Sequence, residues 1–164
     1  MLPPAEFKAI VRSAPLLAID LIVRNTDGEI LLGLRKNPPA RDFWFVPGGR
    51  VFKNESSDHA LRRILKEELG LEGETCELKF KGIYDHVYED NVFEDPGFNT
   101  HYVVIASELT APLRVPALPD IQHSSFRFVT IANLMADPQV HPFTKSYFSE
   151  TPSNLWKFRY QWKA

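Results

Sequence analysis

The chain is short of cysteine, of net charge and of long apolar runs, and each shortage closes off a class of protein. One thiol, Cys76, among 164 residues cannot build an intrachain disulfide framework. It reads as a small buried hydrophobe rather than a nucleophile, and a reducing compartment is compatible with it. Lys and Arg number 19 against 21 Asp and Glu, a formal net charge of −2, so the molecule has no global attraction for nucleic acid or anionic membrane. Any phosphate binding must come from particular arginines. No segment approaches the roughly 20 apolar residues of a membrane span. The start, MLPPAEFKAIVRS, carries charges and prolines where a secretory leader needs an apolar run and a cleavage signal. Repeats and low-complexity linkers are missing as well. The expectation is one soluble, cytoplasmic domain, long enough to bury a substantial core.

What the chain does contain is concentrated between Gly48 and Leu71. Gly48-Gly49 is followed by Glu55, Arg63 and Glu67-Glu68-Leu69-Gly70-Leu71, a glycine turn ahead of one carboxylate-bearing helix. Leu61, Leu65 and Leu69 recur every fourth residue with Ala60 and Ile64 beside them, which is one face of a helix, and the charges take the other. Asn54 or Ser56 can cap its start and Gly70 can end it in a left-handed conformation. Arg63 and Glu67 stand one turn apart and can pair. Carboxylates on one helix beside free backbone carbonyls make an oxygen-rich site for a hard divalent cation, with magnesium the natural guest. The glycine pair and the spacing favour this over an ordinary amphipathic surface helix.

The stretch from Gly49 to Leu71 resembles the Nudix box: Gly, five residues, Glu, seven residues, Arg-Glu, an aliphatic, any residue, Glu-Glu, any residue, Gly, aliphatic. Every fixed position fits except Ile64, which stands where the family has the glutamate of its Arg-Glu pair. Position 64 lies within a turn of 67 and 68, so this substitution removes the middle carboxylate of the cluster that usually holds several magnesium ions. Outside the box, PLLAIDLIV, ILLGLRKNPPA, FWFVPGGRV, THYVV, LPDIQH and SYF resemble the GDP-mannose mannosyl hydrolases, an atypical Nudix branch, over about residues 5–148.

The resemblance implies an α/β fold, an α/β/α sandwich around a mixed sheet, with residues 1–149 as the Nudix domain and 150–164 as an aromatic and basic tail packing on the domain or on a partner subunit. The local patterns agree. A leading helix is expected over 5–11, strands over 16–23 and 29–35 joined by an Asn25-Thr26-Asp27-Gly28 hairpin, and a short strand over 44–46 before the box helix. Strands over 78–88 and 101–109 flank the irregular EDNVFEDPGFN; a strand over 125–129 completes the sheet, and short helices follow over 130–135 and 144–148. In the tail, FRYQW alternates as an edge strand would, and packing is favoured there over stacking on nucleic acid.

Single residues carry the remaining chemistry. Asp20 interrupts an apolar strand, where a buried charge needs a partner; the resemblance assigns it to substrate contact. Arg35 and Arg50 suit a diphosphate, and Tyr102 is expected on a phosphate oxygen. Of the histidines, His59 is expected to be solvated and His101 and His141 have no motif support. His86 matches a position used near the sugar. His123 follows Gln122 in a loop before a strand and matches a pair in which glutamine contacts metal and histidine activates water. The resemblance therefore implies Mg2+ held by the Gly49 carbonyl, Glu68 and Gln122, with Glu67 as a further ligand or a supporting carboxylate. His123 is the base, Arg35, Arg50 and Asp20 complete the catalytic set, and His86 and Tyr102 join in binding a nucleotide sugar. Water attacks the anomeric carbon, inverting it and releasing GDP and mannose. A pyrophosphohydrolase acting at phosphorus and a silent nucleotide-sugar-binding module are the other readings. A homodimer is expected, with neither nucleic acid nor membrane as partner.

Overall fold

Apolar side chains occupy both faces of the first two strands, so each strand needs cover from two sides, and the fold supplies it with two sheets between helices. The computed structural model describes residues 2–71, 77–110 and 123–157. Helix α1 (Pro4–Ser13) leads into β1 (Leu16–Ile22), β2 (Ile30–Arg35), β3 (Trp44–Phe45) and β4 (Gly48–Arg50). Helix α2 (Ser57–Leu69) follows, then β5 (Leu78–Tyr88), β6 (Thr100–Leu109), β7 (His123–Val129) and the short helices α3 (Ile131–Ala136) and α4 (Pro142–Ser146). One sheet has the order β4-β1-β6-β5 and the other β3-β2-β7. The first is mixed, because β1 runs parallel to β6 and antiparallel to β4.

Strand alternation divides the core in two. Ile19 and Leu21 of β1, Val23 just after it and Leu31 of β2 pack with Ala60, Ile64, Leu65 and Leu69 of α2. Ile22, Ile30 and Leu32 point the other way, toward Leu134 of α3, Val140 and Tyr147. Helices therefore cover both sides of the strands, as the α/β/α expectation requires. Ala18 and Asp20 share the alternation of Ile22, which sends the Asp20 carboxylate away from α2.

Three local expectations change. The Asn25–Gly28 turn forms, with the Asn25 side chain accepting from the Asp27 and Glu29 amides, yet β1 and β2 do not continue as a hairpin. Beyond the single Arg24–Ile30 bridge they diverge into different sheets, since β1 gains a seven-residue parallel register with β6 and β2 pairs with β7. The Gly48-Gly49 pair is a strand rather than a turn, matched to Asp20 and Ile19 of β1. His123 opens β7 opposite Arg35 instead of lying in a loop. The box helix itself follows its caps: Ser56 accepts from the His59 amide, Gly70 closes at φ 68, and Asn54 takes a left-handed φ of 66 in the loop before it.

The β5 edge is covered by the segment after α4. Leu155 bridges to Tyr84, the Trp156 amide donates to the Ile83 carbonyl at 2.8 Å, and the Trp156 indole donates to Asp85 at 2.7 Å. The FRYQW stretch lies outside the described residues from Phe158 onward, as does Cys76. Among the described residues no helix is long and apolar enough to cross a membrane.

Candidate active site

Arg63 organises the acidic side. Its guanidinium donates to both Glu55 oxygens at 2.7 and 2.8 Å, to Glu67 at 2.9 Å and to the Arg50 carbonyl at 2.8 Å. The Glu55 carboxylate in turn accepts from the Phe52 amide, and Arg63 holds its pKa down at about 2. One side chain thus ties the loop after β4 to the second and third turns of α2. Ile64, on the opposite face, is fully buried against Gly49; a Cβ at position 49 would meet Ile64 Cγ1 at 2.9 Å. The position that lacks its carboxylate has been taken into the core.

Glu68 is the unusual member. It is 3% exposed, and both of its oxygens are buried without a hydrogen-bond partner. Burial raises its pKa to about 7, with the Arg35 charge opposing. His123 Nδ1 stands 3.5 Å from Glu68 Oε2, and its Nε2 is buried with no partner. Burial and then the Arg35 charge lower the histidine to about 4, so the ring is neutral near pH 7. Gly33 makes room for it, because a Cβ there would lie 2.4 Å from His123 Cδ2.

Beside this pair opens a cleft of about 230 Å³ whose walls include Asp20, Arg35, Arg50, Glu67, His86 and Tyr102. Asp20 is 7% exposed and finds its partner in Tyr147, whose hydroxyl donates to Oδ2 at 2.5 Å. The same hydroxyl lies 3.1 Å from His86 Nε2. Burial raises Asp20 to about 7 and lowers His86 to about 3. The His86 ring stacks on Phe143 at 4.4 Å, so it is fixed on two sides. Arg35 is steadied by its Nε donating to the Pro39 carbonyl at 2.9 Å, and Arg50 lies over the Phe7 ring at 3.9 Å.

A model of the NUDIX domain matches residues 14–150. The chain belongs to the Nudix family. Among relatives, it is 44% identical over 110 residues to the low-salt glycan biosynthesis protein Agl8 of Haloferax volcanii, 66% of this chain and 67% of that protein. It is 42% identical over 57 residues to an ADP-ribose pyrophosphatase of Methanocaldococcus jannaschii, a stretch that spans 33% of that protein. Of solved structures, a MutT protein from Methanosarcina mazei Go1 superposes with a TM-score of 0.66 at 18% identity, covering 83% of this chain and 92% of that one. The NUDIX domain of Shewanella oneidensis NrtR, crystallised with ADP ribose, superposes at 0.59 with 18% identity over 85% and 90% of the two chains. These structural likenesses establish the shared fold.

Nudix hydrolases generally use a divalent cation, and the donors present fit one. A carboxylate with two orphaned buried oxygens is the kind of group that a cation would satisfy. Among the described residues no three His, Cys, Asp or Glu side chains converge as a metal cluster. The remaining donors are therefore backbone carbonyls and Glu67, which is half-exposed and on the cleft wall. Gly49, paired with Ile19, is not a free turn carbonyl, although an oxygen with two lone pairs can serve both a ladder bond and a cation. Gln122 lies outside the described residues.

The Nudix fold gathers Asp20, Arg35, Arg50, His86, Tyr102 and Glu67 on one cleft. Glu68 and His123 form a buried pair, with His123 behind the carboxylate rather than among the residues of the cleft wall. Of the other histidines, His59 is exposed and His101 pairs with Asp85 at 3.0 Å, while His141 caps α4 by accepting from the Phe143 amide and packs its ring against Phe45 and Tyr88 of the cleft wall at 5.3 and 5.4 Å. Tyr147 is the residue that reading the sequence does not single out. Its segment, SYF, carries only part of a resemblance, and nothing local shows that it reaches β1.

Proposed function

We propose that this Nudix hydrolase cleaves a nucleoside diphosphate sugar of the GDP-mannose or GDP-glucose kind at the anomeric carbon, with Mg2+, releasing the nucleoside diphosphate and the free sugar. The observation that most supports this reading is the acidic face itself: Ile64 is buried where a carboxylate would stand, leaving Glu68 beside a neutral His123 in place of a larger carboxylate cluster. The glycan-biosynthesis name of the Haloferax relative is compatible with it. Phosphorus-directed chemistry leans on several cations, and fewer carboxylates hold fewer of them.

Glu68, the Gly49 carbonyl and Gln122, with Glu67 as a further donor, would hold the cation. Bound there, it would supply charge to stabilise the leaving diphosphate. Arg35 and Arg50 add positive charge along the cleft, where water exclusion strengthens it. A nucleoside diphosphate is already a good leaving group, so the reaction needs a base more than an acid. His123 is the base this reading assigns; because it stands behind Glu68, 3.5 Å from its carboxylate and off the cleft wall, it would take the proton from water through that carboxylate or after the carboxylate turns toward the cation. Water oxygen bonds to C1, the C1–O bond breaks, and its electron pair stays on the diphosphate. Asp20 and His86 hold the sugar hydroxyls, positioned by Tyr147.

Turnover of GDP-mannose and GDP-glucose in oxygen-18 water tests the reading. Label in the sugar and none in GDP is expected. Label in a phosphate product would assign the protein instead to the pyrophosphohydrolases, the reading that Glu67 on the cleft wall and the ADP-ribose pyrophosphatase relative favour. Absence of turnover across a panel of nucleotide sugars would leave a binding module.

A further inference from the structure

Strand alternation gives β5 and β6 two faces with different duties. His86 and Tyr102 stand opposite each other in the antiparallel register, and both line the cleft. Their chain neighbours Asp85 and His101 point to the other face. There the Asp85 carboxylate accepts from His101 Nε2 at 3.0 Å through Oδ1 and from the Trp156 indole at 2.7 Å through Oδ2. One side chain therefore joins β5, β6 and the segment after α4, directly behind two residues of the cleft.

The same segment fastens the strand backbone at that level. The Asp85 amide donates to the Asn154 carbonyl at 2.9 Å, the Asn154 side-chain amide donates to the Asp85 carbonyl at 3.2 Å, and the Trp156 amide reaches the Ile83 carbonyl. β5 has 11 residues, yet among the described residues these bonds fall on Ile83 and Asp85, beside His86. A strap that served only to cover the edge would bond along its length. On the inner face Leu155 bridges to Tyr84 and sits so close to Gly82 that a Cβ there would lie 2.5 Å from its Cδ1. Tyr84 meets the Tyr147 ring edge-on at 4.8 Å, and the Tyr147 hydroxyl is bonded to both Asp20 and His86. His86 is thus reached from residues 154–156 by two routes, through the strand backbone and through Leu155, Tyr84 and Tyr147.

We propose that Leu155 and Trp156 are positioning residues for the cleft, setting the place and orientation of the His86 ring from outside it. Neither belongs to the cleft wall, so both act through other groups. The inference rests on the assignment of His86 to the sugar in the functional reading and adds the segment that holds it there. Small displacements matter at such a position, since misplacing a substrate by about 1 Å can cost about 10²-fold in rate. A strap with no such role would change stability alone, and its removal would cost the same whether or not His86 was present.

Two variants of the full chain test this with magnesium and GDP-mannose or GDP-glucose: Leu155→Ala, and Trp156→Phe, which keeps a ring and removes the indole donor. Leu155→Ala should lower kcat by about 5- to 100-fold and Trp156→Phe by more than about twofold, with Leu155→Met restoring the rate. Affinity for GDP, which has no sugar, should stay within about twofold in each. Placed on His86→Ala, the same changes should cost less than about twofold, because residues that act through one group are not additive with its loss. Unchanged kcat in the folded single variants overturns the proposal. So does a full effect on the His86→Ala background, or a fall in GDP affinity that matches the fall in kcat, the mark of general loosening. The nitrogen-15 signals of the His86 ring give a readout that needs no turnover. They should shift in Leu155→Ala and in Trp156→Phe, and identical signals in both variants and the parent overturn the assignment. Shifted His86 signals combined with phosphate labelling in oxygen-18 water would overturn carbon-directed cleavage alone and leave the positioning role standing.

Discussion

Tyr147 has one hydroxyl proton and two buried neighbours. The 2.5 Å contact takes that proton to Asp20, so the His86 nitrogen 3.1 Å away must donate to the phenol oxygen when Asp20 is ionised. His86 then carries its proton on Nε2 and presents Nδ1 as an acceptor, a tautomer set from outside the ring. Tyr147→Phe should cost about 1–3 kcal/mol of stability, the penalty for orphaning buried polar groups, and should lower kcat while leaving the diphosphate's contribution to affinity intact. Chemical denaturation and steady-state kinetics on the same preparation check both. His123→Gln should reduce kcat by about 10²–10⁴, as expected for loss of a general base. If kcat is retained, the base is Asp20, which faces the cleft and has a pKa of about 7. Glu68→Gln should abolish the stabilisation that magnesium gives in a thermal melt, since the two orphaned oxygens are what a cation would gain.

At the scale of elements, the loop after β4 and helix α2 act as one piece through the Arg63–Glu55 pair. Glu55 has a pKa of about 2 in the fold against 4.5 as its ordinary value. A carboxylate with a depressed pKa contributes stability that is present above the ordinary value and is lost as pH falls through the folded one. The contribution should therefore hold above pH 4.5 and decline toward pH 2. Glu55→Gln should flatten that part of the stability profile measured by denaturant titration at successive pH values. The helix boundary was legible beforehand because caps are local: Ser56, the φ of 68 at Gly70 and the Leu61–Leu65–Leu69 spacing all belong to a few consecutive residues. The partners of β1 were not. An Asp-Gly turn predicts a hairpin, yet the neighbours of Leu16–Ile22 are the short β4 strand and a strand more than eighty residues later, and such pairing is decided by which register buries both faces.

Across the whole molecule, the segment from Leu155 to Trp156 closes the open edge of β5, and unpaired edges invite other chains. Deletion of residues 150–164 should expose that edge and promote association, detected as a rising mass by light scattering across a dilution series. A homodimer of the intact chain would appear in the same experiment as a constant mass of twice one chain, and a mass of one chain throughout would exclude it. Two exposed apolar areas bear on the outcome: the groove beside α1 and the outer face that carries Phe80 and Val87.

The sequence by itself determined the family, the box helix and the identities of the charged groups, because spacing along one helix converts directly into position on one face. It also placed Asp20, Arg35 and Arg50 among the groups of interest, since a charge inside an apolar strand or beside a glycine pair is visible locally. Tertiary structure alone decided what those groups meet. Asp20 has a partner 127 residues away in Tyr147, Glu68 keeps two oxygens with none, and Ile64 fills the space above Gly49. Burial and distance between remote segments set those outcomes, and they follow from how two sheets and their helices close on one another, a packing that no local run of residues encodes.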